Sequence, residues 1–301
     1  MTDSLRVTLV IRTLNAGPWL AALLPCLAGQ RRKPDELLIV DSGSSDGTVD
    51  QILAGGHSLV APDSPFGQGE RCRVVTIPGR EFTHARSTNL GFREARGDVV
   101  VMLSQDALPT DSRWLEQLIA PFETAGGAGA LPPVATFGRH IARSDAFPLE
   151  RWQIELDYPL TASEAPPRTG VRFSNVNSAA RRSAWQDEPF DESLLIAEDR
   201  VWADRQAARG RSIRYVPEAA VFHSHDYSVR EAAARCFAEA RARLQSEGVG
   251  ESVSLLFKAW PKQTTADLVR LAREGRPALW PRASIYRFAQ FYGMWRGGRG
   301  R

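Results

Sequence analysis

The chain has 301 residues, 43% of them hydrophobic and 24% charged, with a net charge of +3. The length fits one large domain or a domain with a substantial appendage, and the composition is that of an ordinary soluble globular protein. So small a net charge gives no case for nucleic acid as a partner. Arginine supplies nearly all of the positive charge. That suits diphosphate recognition, but the plainer explanation is the base composition of the gene. Cys26, Cys72 and Cys236 are scattered and lack metal-ligand spacing, so a reducing compartment is expected rather than a disulfide framework. Asp3 precedes a strand-length run, which does not read as a signal peptide. No stretch approaches the roughly 20 apolar residues of a spanning helix. The expected location is the cytoplasm, with contact at the inner face of the membrane left open.

The first third alternates strand-like and helix-like segments, the signature of βαβ units. Leu5–Arg12 reads as a strand ending at Thr13-Leu14-Asn15. A helix follows over Gly17–Ala28, with Leu20, Leu23, Leu24 and Leu27 on one face. Glu36–Val40 reads as the second strand and ends at the polar run Asp41 to Thr48. Asp46 or Thr48 can cap the next helix, which Gly55-Gly56 ends. Arg73–Ile77 is a third strand, leading through Pro78-Gly79-Arg80 to a helix over His84–Arg96. Asp98–Leu103 is a fourth strand, ending at Ser104-Gln105-Asp106, and Asp111 caps a helix carrying Trp114, Leu115, Leu118 and Ile119.

The region 126–169 is rich in Pro and Gly. It reads as a strand over 129–137 and then a mobile segment. Further on, 171–178 reads as a strand, Ile196–Arg209 as a helix closed by Gly210, and Ser212–Val216 and Ala220–His223 as short strands. Ser228-Val229-Arg230-Glu231 has the form of a capping box and opens a long helix to about Gln245. The rest is helical and aromatic. The switch from mixed to helical periodicity sets a boundary: residues 1–227 as the catalytic domain, 228–301 as a helical extension packed on it.

In an open, mostly parallel α/β sheet, ligands bind outside the carboxyl ends of the strands. If the four early strands are neighbours, their polar termini converge on one cleft. No lysine follows these glycines as a phosphate-binding loop requires, and Thr13-Leu14-Asn15-Ala16-Gly17 is not a dinucleotide fingerprint. Asp41 can accept hydrogen bonds from a ribose hydroxyl or a base N–H, or can simply terminate a strand. Asp46 reads better as a helix cap. Asp106 ends an apolar strand and can hold Mg²⁺ or Mn²⁺, or serve as a turn residue before Pro109. Glu198-Asp199 near a helix start is a base favoured in its ionised form by the dipole, or ordinary helix N-terminal charge. His223 and His225 lie on the same side if the strand continues, and either can complete a metal site with Asp106, although an ordinary core or surface histidine is the bland reading.

Taken in order, these segments resemble the inverting family 2 glycosyltransferases of the GT-A fold, closest to their rhamnosyltransferase-like branch. The carrying residues are Val10 to Asn15, Ile39 to Thr48, Phe82 to Asn89, Leu103 to Ala107, Phe173 to Ser178, Ala197-Glu198-Asp199, His223 to Ser228 and Phe288 to Gly293. The resemblance implies an α/β fold with a mixed, mostly parallel sheet flanked by helices and a helical C-terminal extension. It implies that Thr13, Asn15, Asp41 and Ser42 line a nucleotide pocket, with Phe82 and His84 flanking the base or diphosphate. Asp106 would be the surviving acid of an Asp-x-Asp metal motif, here Ser104-Gln105-Asp106. His223 or His225 would be the C-terminal metal or diphosphate ligand. Asp199 would be the catalytic base beside Glu198, and Asn175 and Asn177 would approach the sugars.

The expected activity is inverting transfer of a sugar from a nucleotide-diphosphate donor, dTDP-rhamnose being favoured, to a hydroxyl of a glycan or lipid-linked glycan in cell-surface polysaccharide synthesis. The expected cofactor is Mg²⁺ or Mn²⁺. Two alternatives are a sugar-phosphate nucleotidyltransferase and a non-catalytic nucleotide-sugar binding protein. The former lacks its early triphosphate loop here. The aromatics and arginines from Arg282 to Arg301 can rest on a membrane or pack as an ordinary helix.

Overall fold

The computed structural model describes residues 5–67, 70–123, 132–161 and 172–299. These fall into two compact units. The first comprises residues 1–143, 154–192 and 198–223; the second comprises 144–153, 193–197 and 224–301.

The first unit is built on one eight-stranded sheet. Its strands are β1 (Val7–Thr13), β2 (Glu36–Asp41), β3 (Cys72–Thr76), β4 (Val99–Ser104), β5 (Leu108–Pro109), β6 (Ala135–Ile141), β7 (Asn177–Arg181) and β8 (Ile213–Phe222). The spatial order is β3-β2-β1-β4-β7-β6-β8-β5. β1 pairs in parallel with β2 and β4, β2 with β3, and β6 with β8. β7 runs antiparallel between β4 and β6, and β5 antiparallel to β8. The sheet is therefore mixed and mostly parallel. One consequence fixes the site: the carboxyl ends of β1 to β4, β6 and β8 and the amino end of β7 share one edge.

Strand alternation splits the core into two layers. Val7, Leu9, Ile11, Leu37, Ile39, Val99, Val101 and Leu103 face one side, against α1 (Gly17–Ala28), α2 (Thr48–Gly56) and α4 (Trp114–Glu123). Val10, Leu38, Val40, Val100 and Met102 face the other, against α3 (His84–Glu94), α6 (Arg182–Asp187) and α7 (Glu198–Ala208). Both faces being covered explains why these strands read as continuous apolar runs.

The central elements match the sequence reading to within two residues at nearly every end. Three places differ. Residues 172–176 are not a strand: β7 starts at Asn177. The two short strands expected over 212–223 are one, β8, which runs on through Pro217. Its pairing with β6 shifts register between Gly138 and His140. A Cβ at Gly138 would lie 1.9 Å from Ala219 O and 2.3 Å from Asn177 Nδ2, so only glycine lets the Asn177 amide enter the irregular pairing. The segment expected to be mobile after 137 instead continues β6 to Ile141 and forms α5 (Pro148–Asp157). Parts of the expected 129–137 strand and of the segment expected to be mobile after it lie outside the described residues.

The second unit is helical: α8 (Val229–Glu247), α9 (Trp260–Arg273) and α10 (Trp280–Gly297), with a wider turn over Leu255–Ala259 before α9. The capping box is present: Ser228 Oγ accepts from Glu231 N, and the Glu231 carboxylate accepts from Ser228 N at 2.8 Å. Phe147, Leu149, Trp152, Ala232, Leu271, Ala283 and Tyr286 form its core.

Candidate active site

The edge that gathers the strand ends carries the chemistry. At the end of β1, Thr13 Oγ1 donates to Asp41 Oδ1 at 2.9 Å. Gly43 N and Ser44 N donate to Asp41 Oδ2, both at 2.9 Å, and the Ser44 hydroxyl donates to Oδ1. Burial pushes the Asp41 carboxyl up, but these hydrogen bonds outweigh it and hold it below the usual range. Ser42 is buried and its N–H is spent on Thr13 O. Asn15 adopts a left-handed backbone, φ 49°. There its N–H donates to Ser44 Oγ and its Oδ1 accepts from Ser45 N, tying the two loops together. Asp46 accepts from Gly17 N at 3.0 Å and from the N–H and hydroxyl of Thr48, which is the work of a structural cap.

Past β4, Gln105 is not aimed at a ligand. Its amide clamps the Leu14 backbone, accepting from Leu14 N at 2.8 Å and donating to Leu14 O at 3.2 Å. Asp106 Oδ2 lies 3.5 Å from His223 Nε2, at the end of β8. The Asp106 carbonyl accepts from the Arg143 guanidinium, which stacks 4.4 Å from the Trp19 ring. His223 meets His140 edge to face at 5.4 Å, and His140 stacks on Tyr158 at 3.9 Å. Burial, then the charges of Asp157 and Asp199, hold the Tyr158 hydroxyl above its ordinary value. A run of contacts thus leads from Asp106 to the neighbourhood of Asp199.

Asp199 and Glu198 open α7, directly after Ala197, a non-glycine residue at φ 66°. A left-handed alanine is strained, and such strain concentrates where side-chain direction matters. Asp199 Oδ2 accepts from Asn175 N at 2.9 Å and Oδ1 from Arg200 N at 2.7 Å. Glu198 is buried. Desolvation first, then the charge of Asp199, raise its carboxyl to about 7 against the opposing pull of Arg12 and Asn175. Arg12 also donates to His84 O at 3.3 Å and Thr88 Oγ1 at 3.1 Å, so the end of β1 is joined to the start of α3. There Phe82, partly exposed, meets the His84 ring edge to face at 5.5 Å.

Thr13, Asn15, Asp41, Ser42, Phe82, His84, Asp106, Asn175, Glu198, Asp199 and His223 therefore share one edge of the first unit. Asn177 is fully buried, and both ends of its amide are engaged inside the protein: Oδ1 accepts from Trp114 Nε1 at 2.9 Å and Nδ2 donates to Ala219 O at 2.9 Å. His225 lies two residues along the chain from His223, in the second unit. Sequence reasoning missed Arg12, Gln105, Arg143, His140 and Tyr158. Arg12 had a signal: alternation along β1 puts it on the same face as Val10, toward α3 and α7.

Comparison with known proteins agrees with this geometry. Residues 8–182 match the family model for glycosyl transferase family 2. The chain belongs to glycosyltransferase family 2. Over 243 residues it is 30% identical to the O-antigen chain rhamnosyltransferase RfbN of Salmonella typhimurium, covering 77% of this chain and 71% of that one. It is 29% identical over 244 residues to the O-antigen chain rhamnosyltransferase WbaN of Salmonella anatum, covering 76% and 70%. Among solved structures, the mannosyltransferase PcManGT of Pyrobaculum calidifontis, in complex with GDP-Man and Mn²⁺, superposes with a TM-score of 0.59 at 17% identity, covering 96% of this chain and 86% of that one. The fold of this family 2 chain is thus that of the GT-A glycosyltransferases.

Proposed function

We propose that this glycosyltransferase inverts the anomeric centre of a nucleotide-diphospho-sugar as it passes the sugar to a hydroxyl of a glycan or lipid-linked glycan. The supporting observation is the run of contacts Asp106–His223–His140–Tyr158 that reaches toward Asp199 along a single sheet edge. In this reading the divalent-ion or diphosphate region lies at Asp106 and His223 and the carboxylate base at Asp199, along that edge. The rhamnosyltransferase relatives support rhamnose as the sugar, with dTDP-rhamnose as donor, and a cell-surface polysaccharide as the product.

In this reading Asp41, held ionised by Thr13, Gly43 and Ser44, accepts hydrogen bonds from the nucleoside, and Asn15 and Ser42 shape the same pocket. Phe82 and His84 flank the base or diphosphate. Asn175 places Asp199 through its backbone N–H, and both Asn175 and Asn177 are buried, so they support the site from behind rather than meeting the sugar directly. Asp199 takes the proton from the acceptor hydroxyl. That oxygen attacks the anomeric carbon on the face opposite the diphosphate, and the carbon–oxygen bond to the diphosphate breaks. General-base assistance of this kind contributes about 10²–10⁴-fold. Glu198, whose protonated form burial favours, limits the second negative charge beside the base.

The oxygen of Asp106 and the imidazole of His223, 3.5 Å apart, form a donor set that suits Mg²⁺ or Mn²⁺, and His225 is proposed as a third ligand. The ion, when bound, would neutralise charge developing on the diphosphate. The decisive experiment incubates the protein with dTDP-rhamnose and a lipid-linked glycan acceptor and determines the anomeric configuration of the product by NMR. An inverted glycoside supports the reading. A retained configuration, or donor binding with no transfer to any acceptor, overturns it. Pyrophosphate release from a nucleoside triphosphate and a sugar phosphate would favour the nucleotidyltransferase alternative instead.

A further inference from the structure

The charge of the chain is segregated. Residues 252–301 carry ten Lys and Arg against two acids, a net +8, whereas the residues before them carry a net −5. Both acids of that stretch are already in ion pairs, Asp267 with Arg287 at 2.8 Å and Glu274 with Arg151 at 2.9 Å. Lys258, Lys262, Arg273, Arg276, Arg296 and Arg299 are exposed.

The same stretch exposes apolar and aromatic side chains in an ordered pattern. α10 packs on α8 through Ala283, Tyr286, Ala289, Gly293 and Gly297, and on its other side Ile285, Phe288 and Tyr292 are exposed. Arg296 continues that stripe at helical spacing and Arg299 follows just past the helix end, each guanidinium lying over a ring of the stripe or its margin, Tyr292 and Trp295. Trp260, at the start of α9, meets Phe288 edge to face at 5.1 Å and extends the patch to the turn before it. There Phe257 is 76% exposed between Leu256 and Lys258. Neighbouring exposed apolar and aromatic side chains of this kind mark interaction surfaces.

We propose that this face of the second unit rests on an anionic lipid bilayer, its aromatics entering the interfacial region and its cations facing lipid phosphates. Rings flanked by lysine and arginine on one face are the chemistry of an in-plane membrane contact. No helix among the described residues is long and apolar enough to cross a membrane, so the contact is with the surface. A second copy of the chain is the poorer occupant, because it would bring the same strongly basic face against this one. The inference deepens the proposed function by giving the enzyme a route to a lipid-linked acceptor. It stands on the second unit alone.

The test sediments the full chain with vesicles of phosphatidylglycerol and phosphatidylcholine, and with phosphatidylcholine alone, at low and high salt. No acceptor is present, so the outcome does not depend on transfer. The wild type pellets with the anionic vesicles and is released by salt. The variant K258E/K262E/R296E/R299E, altered only at exposed positions, loses about six hundredfold or more in partitioning, given a factor of about five for each of four cations. The variant F257S/F288S/Y292S loses about tenfold or more. Circular dichroism and thermal midpoints establish that both variants are folded; if the serine variant is not, the charge variant alone decides. Failure of the wild type to pellet, equal pelleting with both lipids, or unchanged pelleting of the charge variant overturns the proposal. So does a wild-type dimer that F257S/F288S/Y292S reduces to monomer.

Discussion

His223 Nε2 stands 3.5 Å from Asp106 Oδ2, although 117 positions separate the two in the chain. The sheet brings them together: β4 and β8 both end at the same edge, and the short β5 pairs with β8 right after Asp106. Even with the proposed His225 the protein supplies three ligands at most, so the bound diphosphate must supply further oxygens. Mn²⁺ affinity should therefore depend on the nucleotide. Isothermal titration should give weak Mn²⁺ binding alone and tighter binding with a nucleoside diphosphate. Asp106→Ala and His223→Ala should each weaken the latter at least about tenfold. Transfer should stop in EDTA and resume with Mn²⁺.

Glu198 and Asp199 are adjacent, yet substitution should separate them. Asp199→Asn removes the proton acceptor while its oxygen can still accept from Asn175 N or Arg200 N, so turnover should fall by about 10²–10⁴-fold with donor binding kept. Glu198→Gln mimics the protonated form that burial favours, so activity below about pH 6 should change little. The pH dependence of stability has a definite sign. The folded carboxyl, raised to about 7, keeps its proton while the unfolded one releases it near 4.5. Stability from this residue is therefore full below about pH 4.5 and lost as pH rises toward 7. Relative to wild type, the melting temperature of Glu198→Gln should climb by a few degrees between pH 5 and pH 7.5.

The layered half of the fold was legible because its signals are local. Apolar runs, Gly17 to Ala28 periodicity and the Ser228–Glu231 capping box each act within a few residues. What escaped depends on distant partners. Residues 172–176 look like strand, but Asn175 N is drawn to the Asp199 carboxylate and leaves the ladder. Pro217 looked like a break, yet β8 passes it where the pairing with β6 slips. Arg143 and Tyr158 sit in a stretch whose Pro-rich surroundings hid the second half of β6 and all of α5. The placement of Asp41, Asp106 and Asp199 was legible because each carboxylate stands at or beside the end of an element; their roles are those proposed above. Asn177 shows the limit: a polar residue in a suggestive motif can point wholly inward, and only Trp114 and Ala219, far away in sequence, say so.

Glu36 anchors the opposite end of the sheet. Its buried carboxylate accepts from Thr8 Oγ1 at 2.7 Å, Arg96 N at 2.9 Å and the guanidinium groups of Arg73 and Arg96. Burial pushes it up, but the Arg96 backbone, then Thr8 and the two arginines, pull it below the usual range. Its contribution is thus present above the unfolded value and lost as pH falls through the folded one. Glu36→Ala leaves two arginines around an emptied site and should cost about 3–5 kcal/mol in urea unfolding, with activity of the folded fraction unchanged.

In the second unit α8 and α10 approach closely. A Cβ on Gly293 would lie 2.2 Å from Ala233 O, and one on Gly297 would lie 2.1 Å from Phe237 O. The obstacle in both cases is helix backbone, which cannot rotate away as a side chain would. The two glycines sit four residues apart, as do the residues they face, so they form a groove along one side of α10 into which α8 settles. Alanine normally favours a helix over glycine by about 1 kcal/mol. Here the overlap should reverse the sign, costing about 1–3 kcal/mol per site and more for the pair, because α10 must lift off α8 as a unit. Hydrogen exchange should locate the effect: protection in α8 and α10 falls in Gly293→Ala and Gly297→Ala, while amides of β1, β2 and β4 keep theirs. Uniform loss across the sheet would show that the two units unfold together instead.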